Sequence, residues 1–501
     1  MPNKLATSTT LCLLLSFGLP TQAQDSPPFP KEGQRLEVYD RLISEIHRVD
    51  AIGIATRNTY KDTNWKVLTR NLRSEFGMAQ NWTELRQVIS RLHKGFTNVH
   101  SHIKPGALFP PVVKQTAPNA NQEGPLIGFT YPPVEFFAAK ETPATKEALN
   151  KTFREFVDVG CRAANPVSCA HQFVRDTQPL QHLTPKEQRI EKCESVAIRY
   201  TTAWTLNYSG HSLCVLTRDA VTLVKIKLFA SWGQSGIYCG PNASKGSACH
   251  DIYNALQLIK RAEPEYLILD VQNNRGGSEN TPYIAAFATA AFTDLRVEYK
   301  KIRELDDSKM RKELFYFNKE AEIWFKSLKT SKAYDTIAYG DYLPARADFC
   351  RGARDCSIAP IKRHELSNAE QKGIILTNGN CVSSCDDLVW RLKEANNWKV
   401  VGQTPVTDGA YSRIEGGIFL NSEGQVSTQT WGDGEEPATS QKDLLVQYRV
   451  PISRTVNGAG ELLEGNISVL DAPIAHSKAQ FTNNDAHLAN AAFHNIAKLS
   501  Q

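Results

Sequence analysis

Long apolar runs are nearly absent from this 501-residue sequence. The clearest, Leu11 to Leu19, is too short to cross a bilayer, which needs about 20 apolar residues. No longer one follows, so no stable membrane anchor is expected. Blocks of like charge are also missing. The net charge of +5 is spread along the chain without basic clusters or interleaved aromatics, which argues against a nucleic-acid partner. Paired C-x-x-C spacing is absent too, which argues against a structural zinc site. No cofactor or metal is expected.

Several features are present instead. Lys4, the short apolar run and the small residues around Thr21-Gln22-Ala23 have the layout of a secretory signal peptide over 1–23, so the mature chain is expected to be exported, periplasmic or secreted. Removing Cys12 leaves ten of the eleven cysteines, an even number that reads as disulfides in an exported protein. Cys239 with Cys249, and Cys350 with Cys356, are plausible local pairs, although connectivity does not follow from sequence.

Proline-rich residues 24–30 lead into three stretches of helical periodicity. These carry Leu36, Tyr39, Ile43 and Ile46; then Trp65, Leu68, Leu72 and Phe76; then Trp82, Leu85, Val88, Ile89 and Leu92. Asn81 with Glu84 has the pattern of a cap at the third. An N-terminal helical domain over 31–103 is expected. Residues 104–215 are poorly defined and hold Cys161, Cys169, Cys193 and Cys214, with one helical stretch near 146–159. From about 216 strands and helices alternate: Val221 to Phe229, a helix through Ile252 to Ile259, Tyr266 to Val271, then a helix capped by Asn280 or Thr281 with an apolar body from Tyr283 to Phe292. That alternation predicts an α/β core over 216–478. A charged insertion at about 300–370 and a tail at 479–501 complete the chain.

Within the core, Thr377 to Asp387 lies between the apolar run Gly373 to Leu376 and a helical pattern through Leu388, Val389, Leu392 and Ala395. Ser383 therefore sits on a turn where a helix opens. Unpaired N–H groups at that point could hold an oxyanion beside a nucleophile, or the serine could simply cap the helix.

Two motifs together resemble the tail-specific, or C-terminal-processing, serine peptidase family. Asp270, Asn274, Gly276 and Gly277 match its strand motif, roughly D-L-R-x-N-x-G-G, with Gln272 where arginine is usual. Cys381 to Asp386 stands where the family has roughly S-A-S-A-S-E, and Val400-Val401-Gly402-Gln403 follows at the family's spacing. The resemblance implies a crotonase-like β-β-α spiral core, Ser383 as nucleophile, and an oxyanion hole from the N–H groups of Ser384 and of Gly276 or Gly277.

The family's lysine base is missing, since Asp408 occupies its place. The resemblance then points to the lysine-less branch, similar to the tricorn core, with His100 in Asn98-Val99-His100-Ser101 as base. Glu464 is the candidate acid, in a late motif that ends at Asp471, with Glu461 as substitute. His100-x-His102 could instead present two ligands to a metal, but lacks acidic or cysteine neighbours in sequence. No Gly-Leu-Gly-Phe-like loop marks a PDZ domain, so a preference for substrate C-termini is not inherited. The implied activity is hydrolysis of a peptide or protein substrate by an exported endopeptidase. The alternative is an inactive module binding a peptide or hydrophobic ligand, as in the similar retinoid-binding modules.

Overall fold

The computed structural model describes residues 27–111, 192–474 and 484–500, except 54–64, 94, 97, 99, 201–202, 278–279, 316–318, 351–354, 411 and 433–434. The expected signal peptide, the helical stretch at 146–159, Cys161 and Cys169 lie outside the described residues.

A seven-stranded sheet organises the core. In spatial order its strands are Ala472–Pro473, Lys399–Gly402, Lys372–Thr377, Tyr266–Asp270, Val221–Ile226, Leu213–Arg218 and Thr205–Ser209. The first five are parallel, and the last two continue as an antiparallel meander. Alternate side chains enter different layers, as a pleated strand requires. Val215, Val224, Leu269, Ile375 and Val400 pack beneath helices Ala248–Ala262, Thr281–Phe287 and Ser384–Ala395. Leu216, Leu223, Ile268, Ile374 and Val401 pack beneath Cys193–Arg199, Asn484–His494 and Ile496–Leu499. With both faces covered, the central strands are largely apolar, and every residue of Val221–Ile226 is buried, Thr222 and Lys225 included.

The helix after Gly277 is shorter than its apolar run suggests and stops at Phe287. The Thr289 N–H donates to Asn396 Oδ1 at 2.6 Å, and the Ala290 N–H donates to the Ala395 carbonyl at 3.2 Å. The end of the neighbouring helix thus captures backbone that would otherwise have continued helical.

A second core joins distant parts of the chain. Helices Glu32–Val49, Trp65–Met78 and Trp82–His93 form where periodicity places them. Glu84 N–H donates to Asn81 Oδ1 at 3.0 Å, the expected cap. Their apolar faces pack on a four-stranded antiparallel sheet, ordered His102–Pro105, Leu444–Pro451, Arg413–Leu420 and Val426–Gly432. Phe315, Phe325 and Tyr334 of the 300–370 insertion enter the same core. The strand just after His100 therefore pairs with residues some 340 positions later, His102 opposite Arg449. This pairing draws the N-terminal segment into the site.

Four disulfides are formed among the described residues. Cys239–Cys249 and Cys350–Cys356 are the local pairs the sequence suggests, joined by Cys193–Cys214 and Cys381–Cys385. No described helix is long and apolar enough to cross a membrane.

Candidate active site

Three loops leave the carboxyl ends of neighbouring parallel strands: 271–280, 378–383 and 403–412. Loops that leave one edge of adjacent strands must crowd together, and open α/β sheets commonly bind ligands there. Asparagines lock the first two. Asn273, at φ 60°, donates its N–H to Asn378 Oδ1 at 3.0 Å, and its own Oδ1 accepts from the side chains of Asn378 and Asn380. The Val382 N–H donates to the Asn274 carbonyl at 3.1 Å.

Ser383 closes the second loop in an uncommon backbone conformation, φ 62° and ψ −128°. A non-glycine residue there carries strain of about 1–3 kcal/mol and needs support from its surroundings. The Cys381–Cys385 disulfide supplies it by bracketing the serine, with both cysteines fully buried. Helix Ser384–Ala395 begins at the next residue, and the Ser383 side chain makes no capping bond to it. The cap reading of this serine is therefore not what the helix start shows. Ser384 N–H is at the first helical position, where no carbonyl one turn earlier can accept it.

Gly276 lies directly against this turn. A Cβ there would come within 2.7 Å of the Val382 carbonyl oxygen and 2.9 Å of Ser383 Cβ, and its φ is +83°. Only glycine fits both demands. Its N–H, however, already donates to Asn274 Oδ1 at 2.9 Å. Gly277 is exposed and forms an isolated parallel bridge with Phe229.

The third loop brings the acids. Val406 N–H donates to the Cys381 carbonyl at 3.0 Å, and Thr407 N–H donates to the buried Asp386 at 2.7 Å, so the loop is sewn to the serine turn. Next comes Asp408, fully buried, with Oδ2 2.8 Å from His100 Nε2. The approach is close, although the two atoms are not aligned for a hydrogen bond. Glu464, also fully buried, accepts the Gly409 N–H at 3.0 Å. Asn98 joins all of these. Its side-chain amide donates to Asp408 Oδ1 and, at 3.1 Å, to Glu464 Oε2, while its Oδ1 accepts the His100 N–H at 3.0 Å.

The carboxylate beside His100 is thus Asp408, with Glu464 behind it through Asn98. Glu461 is elsewhere, bonded to Asn457. Asp471, the other acid of the late motif, accepts the Val400 N–H and pairs with Lys393. Among the described residues no group of three or more histidines, cysteines or acids could hold a metal.

Beneath the Gly-Gly turn, Lys225 is 3% exposed and donates to Asp270 Oδ1 at 2.9 Å and to the Gln272 carbonyl at 2.6 Å. Tyr200 and Gln272 donate to the other Asp270 oxygen. A cation from the neighbouring strand supports the turn in a motif where residue 272 is usually arginine.

Residues 221–430 match the model of peptidase family S41. That match spans 210 of the 501 residues. The matched stretch contains both the Gly276 turn and Ser383, whereas His100 and Glu464 lie outside it. Among solved structures, this chain is similar to mature CPAF, with a TM-score of 0.52, 9% identity, and coverage of 93% of this chain and 98% of that one. Mature CPAF complexed with lactacystin gives 0.50, with 9% identity and coverage of 93% and 99%. A putative peptidase from Parabacteroides merdae gives 0.45 at 12% identity, covering 93% and 96%. At such identities the CPAF likenesses speak for the fold alone. No curated protein matches by sequence.

Asn98 and Asp408 are the site residues that motif reading undervalued. Asn98 stands where family members lacking the lysine often have the aspartate of a D-G-H-T-like motif, and Asp408 stands where the lysine-dependent branch has its base. The neutral Asn98 amide bridges the carboxylates of Asp408 and Glu464, where a third acid would repel them.

Proposed function

We propose that this protein is an exported serine endopeptidase in which Ser383 is the nucleophile, His100 the general base, and Asp408 the acid that orients the imidazole. Glu464 and Asn98 hold that acid from behind. The observation that carries this reading is the approach of His100 Nε2 to buried Asp408, on a loop bonded directly to the strained serine turn.

With Nε2 turned to the acid, Nδ1 is the nitrogen left to take the serine proton. The serine oxygen then attacks the peptide carbonyl, and the imidazolium next to Asp408 returns its proton to the leaving amine. Ser384 N–H, at the helix start, suits the oxyanion. A second donor from Gly277 fits better than one from Gly276, whose N–H is engaged by Asn274. The four disulfides suit an oxidising compartment, in keeping with export.

A fluorophosphonate probe tests the reading. It is expected to label the wild type on Ser383, and Ser383→Ala is expected to lose both labelling and peptide hydrolysis. Absence of label from folded wild-type protein would favour a peptidase-like binding module instead.

A further inference from the structure

The residue between Asn274 and Gly276 takes no part in the chemistry described above, yet its surroundings are informative. Both neighbours touch the serine turn. The Asn274 carbonyl accepts the Val382 N–H at 3.1 Å, and a Cβ on Gly276 would lie 2.9 Å from Ser383 Cβ. The backbone of Arg275 is consequently held beside the serine turn from either side. Its side chain is half-buried, and loss of water lowers its pKa below the usual arginine value.

No described residue forms a salt bridge or hydrogen bond with this guanidinium. The described acids of the site have partners of their own: Asp270 has Lys225 and Tyr200, Asp386 the Thr407 N–H, Asp408 His100 and Asn98, and Glu464 Gly409 and Asn98. Removing a cation from water without a counter-ion is unfavourable, whereas a planar guanidinium can take a carboxylate through two parallel hydrogen bonds. A carboxylate arriving with the substrate would complete the arrangement.

We propose that Arg275 is a specificity-determining residue that selects substrates bearing a carboxylate close to the scissile bond. This rests on the peptidase reading above. The carboxylate is an aspartate or glutamate side chain, or the free C-terminus of a peptide cut near its end. Arg275 does not touch the reacting atoms, so it acts through substrate choice.

The test uses the full mature chain and quenched fluorogenic peptides carrying Glu, Gln or Lys at each position flanking the cleaved bond, with free or amidated C-termini. Wild type is expected to prefer a carboxylate peptide over its amide counterpart by about ten- to a hundredfold in kcat/KM, the span of charge-assisted hydrogen bonds. Arg275→Gln should erase that margin while leaving hydrolysis of the neutral peptides and fluorophosphonate labelling within a few-fold of wild type. Arg275→Glu should reverse the preference towards lysine, and Arg275→Lys should keep it with a smaller margin. Loss of the margin on amidation alone identifies the C-terminal carboxylate, and loss only on Glu-to-Gln exchange identifies a side chain. An unchanged substrate ranking in Arg275→Gln overturns the proposal, as does an equal loss on every peptide. Failure of the wild type to cleave any peptide or accept the probe would instead count against the peptidase reading.

Discussion

The side-chain amide of Asn98 donates to Glu464 at 3.1 Å across 366 residues of chain, and the same nitrogen also bonds Asp408. One neutral group thereby holds two fully buried carboxylates side by side and, through its oxygen, fixes the backbone of His100.

Replacing Asn98 with aspartate would remove the donor and add a third carboxylate. We expect Asn98→Asp to cost about 3 kcal/mol or more at neutral pH, as for other uncompensated buried charges. The new acid would have a raised folded-state pKa, so the variant should bind protons on folding and grow relatively more stable as pH falls. Denaturant unfolding at several pH values checks both statements; a pH-independent loss would contradict them.

The two acids should separate in kinetics. Asp408→Asn removes the carboxylate beside His100 and is expected to lower kcat by about a thousandfold or more, as for other triad acids. Glu464→Gln keeps its shape and an acceptor for the Gly409 N–H, so its loss should be about tenfold. Equal losses, or a greater one for Glu464→Gln, would assign the orienting role to Glu464.

Gly276→Ala should fail at the site before it fails in the fold. The added methyl meets the Val382 carbonyl at 2.7 Å in a backbone conformation that disfavours any side chain. Expected outcomes are a stability loss of about 1–3 kcal/mol and slow labelling of Ser383 by a fluorophosphonate. Thermal unfolding and the labelling rate measure the two effects separately.

The Cys381–Cys385 bridge closes a short loop around the nucleophile. Chain entropy gives such a loop about 2 kcal/mol of stabilisation. Cys381→Ala combined with Cys385→Ala should therefore leave a folded protein that is less stable by roughly that amount and markedly less active, since the backbone of Ser383 loses a constraint. Activity at the wild-type level would show that the surrounding hydrogen bonds hold the turn alone.

Local chemistry written in the sequence determined much of this protein. Period-two and period-3.6 patterns place the central strands and the long helices, because each element must bury one face wherever it ends up. The glycine at 276 and the serine at 383 are legible for a similar reason: a tight turn and a helix start impose residue types on the spot. Two local cysteine pairs were legible through proximity. The tertiary structure decided what depends on distant partners. The helix at Thr281–Phe287 ends where Asn396 captures the backbone, which no local signal announces. Lys225 reads as the polar position of an alternating strand, yet it is buried by its pairing with Asp270. Asp408 reads as the absence of a lysine, and its place beside His100 follows only once His102–Pro105 pairs with Leu444–Pro451 and the 403–412 loop is sewn to the serine turn. A buried carboxylate depends on whichever groups converge on it, and that convergence is a property of the folded chain.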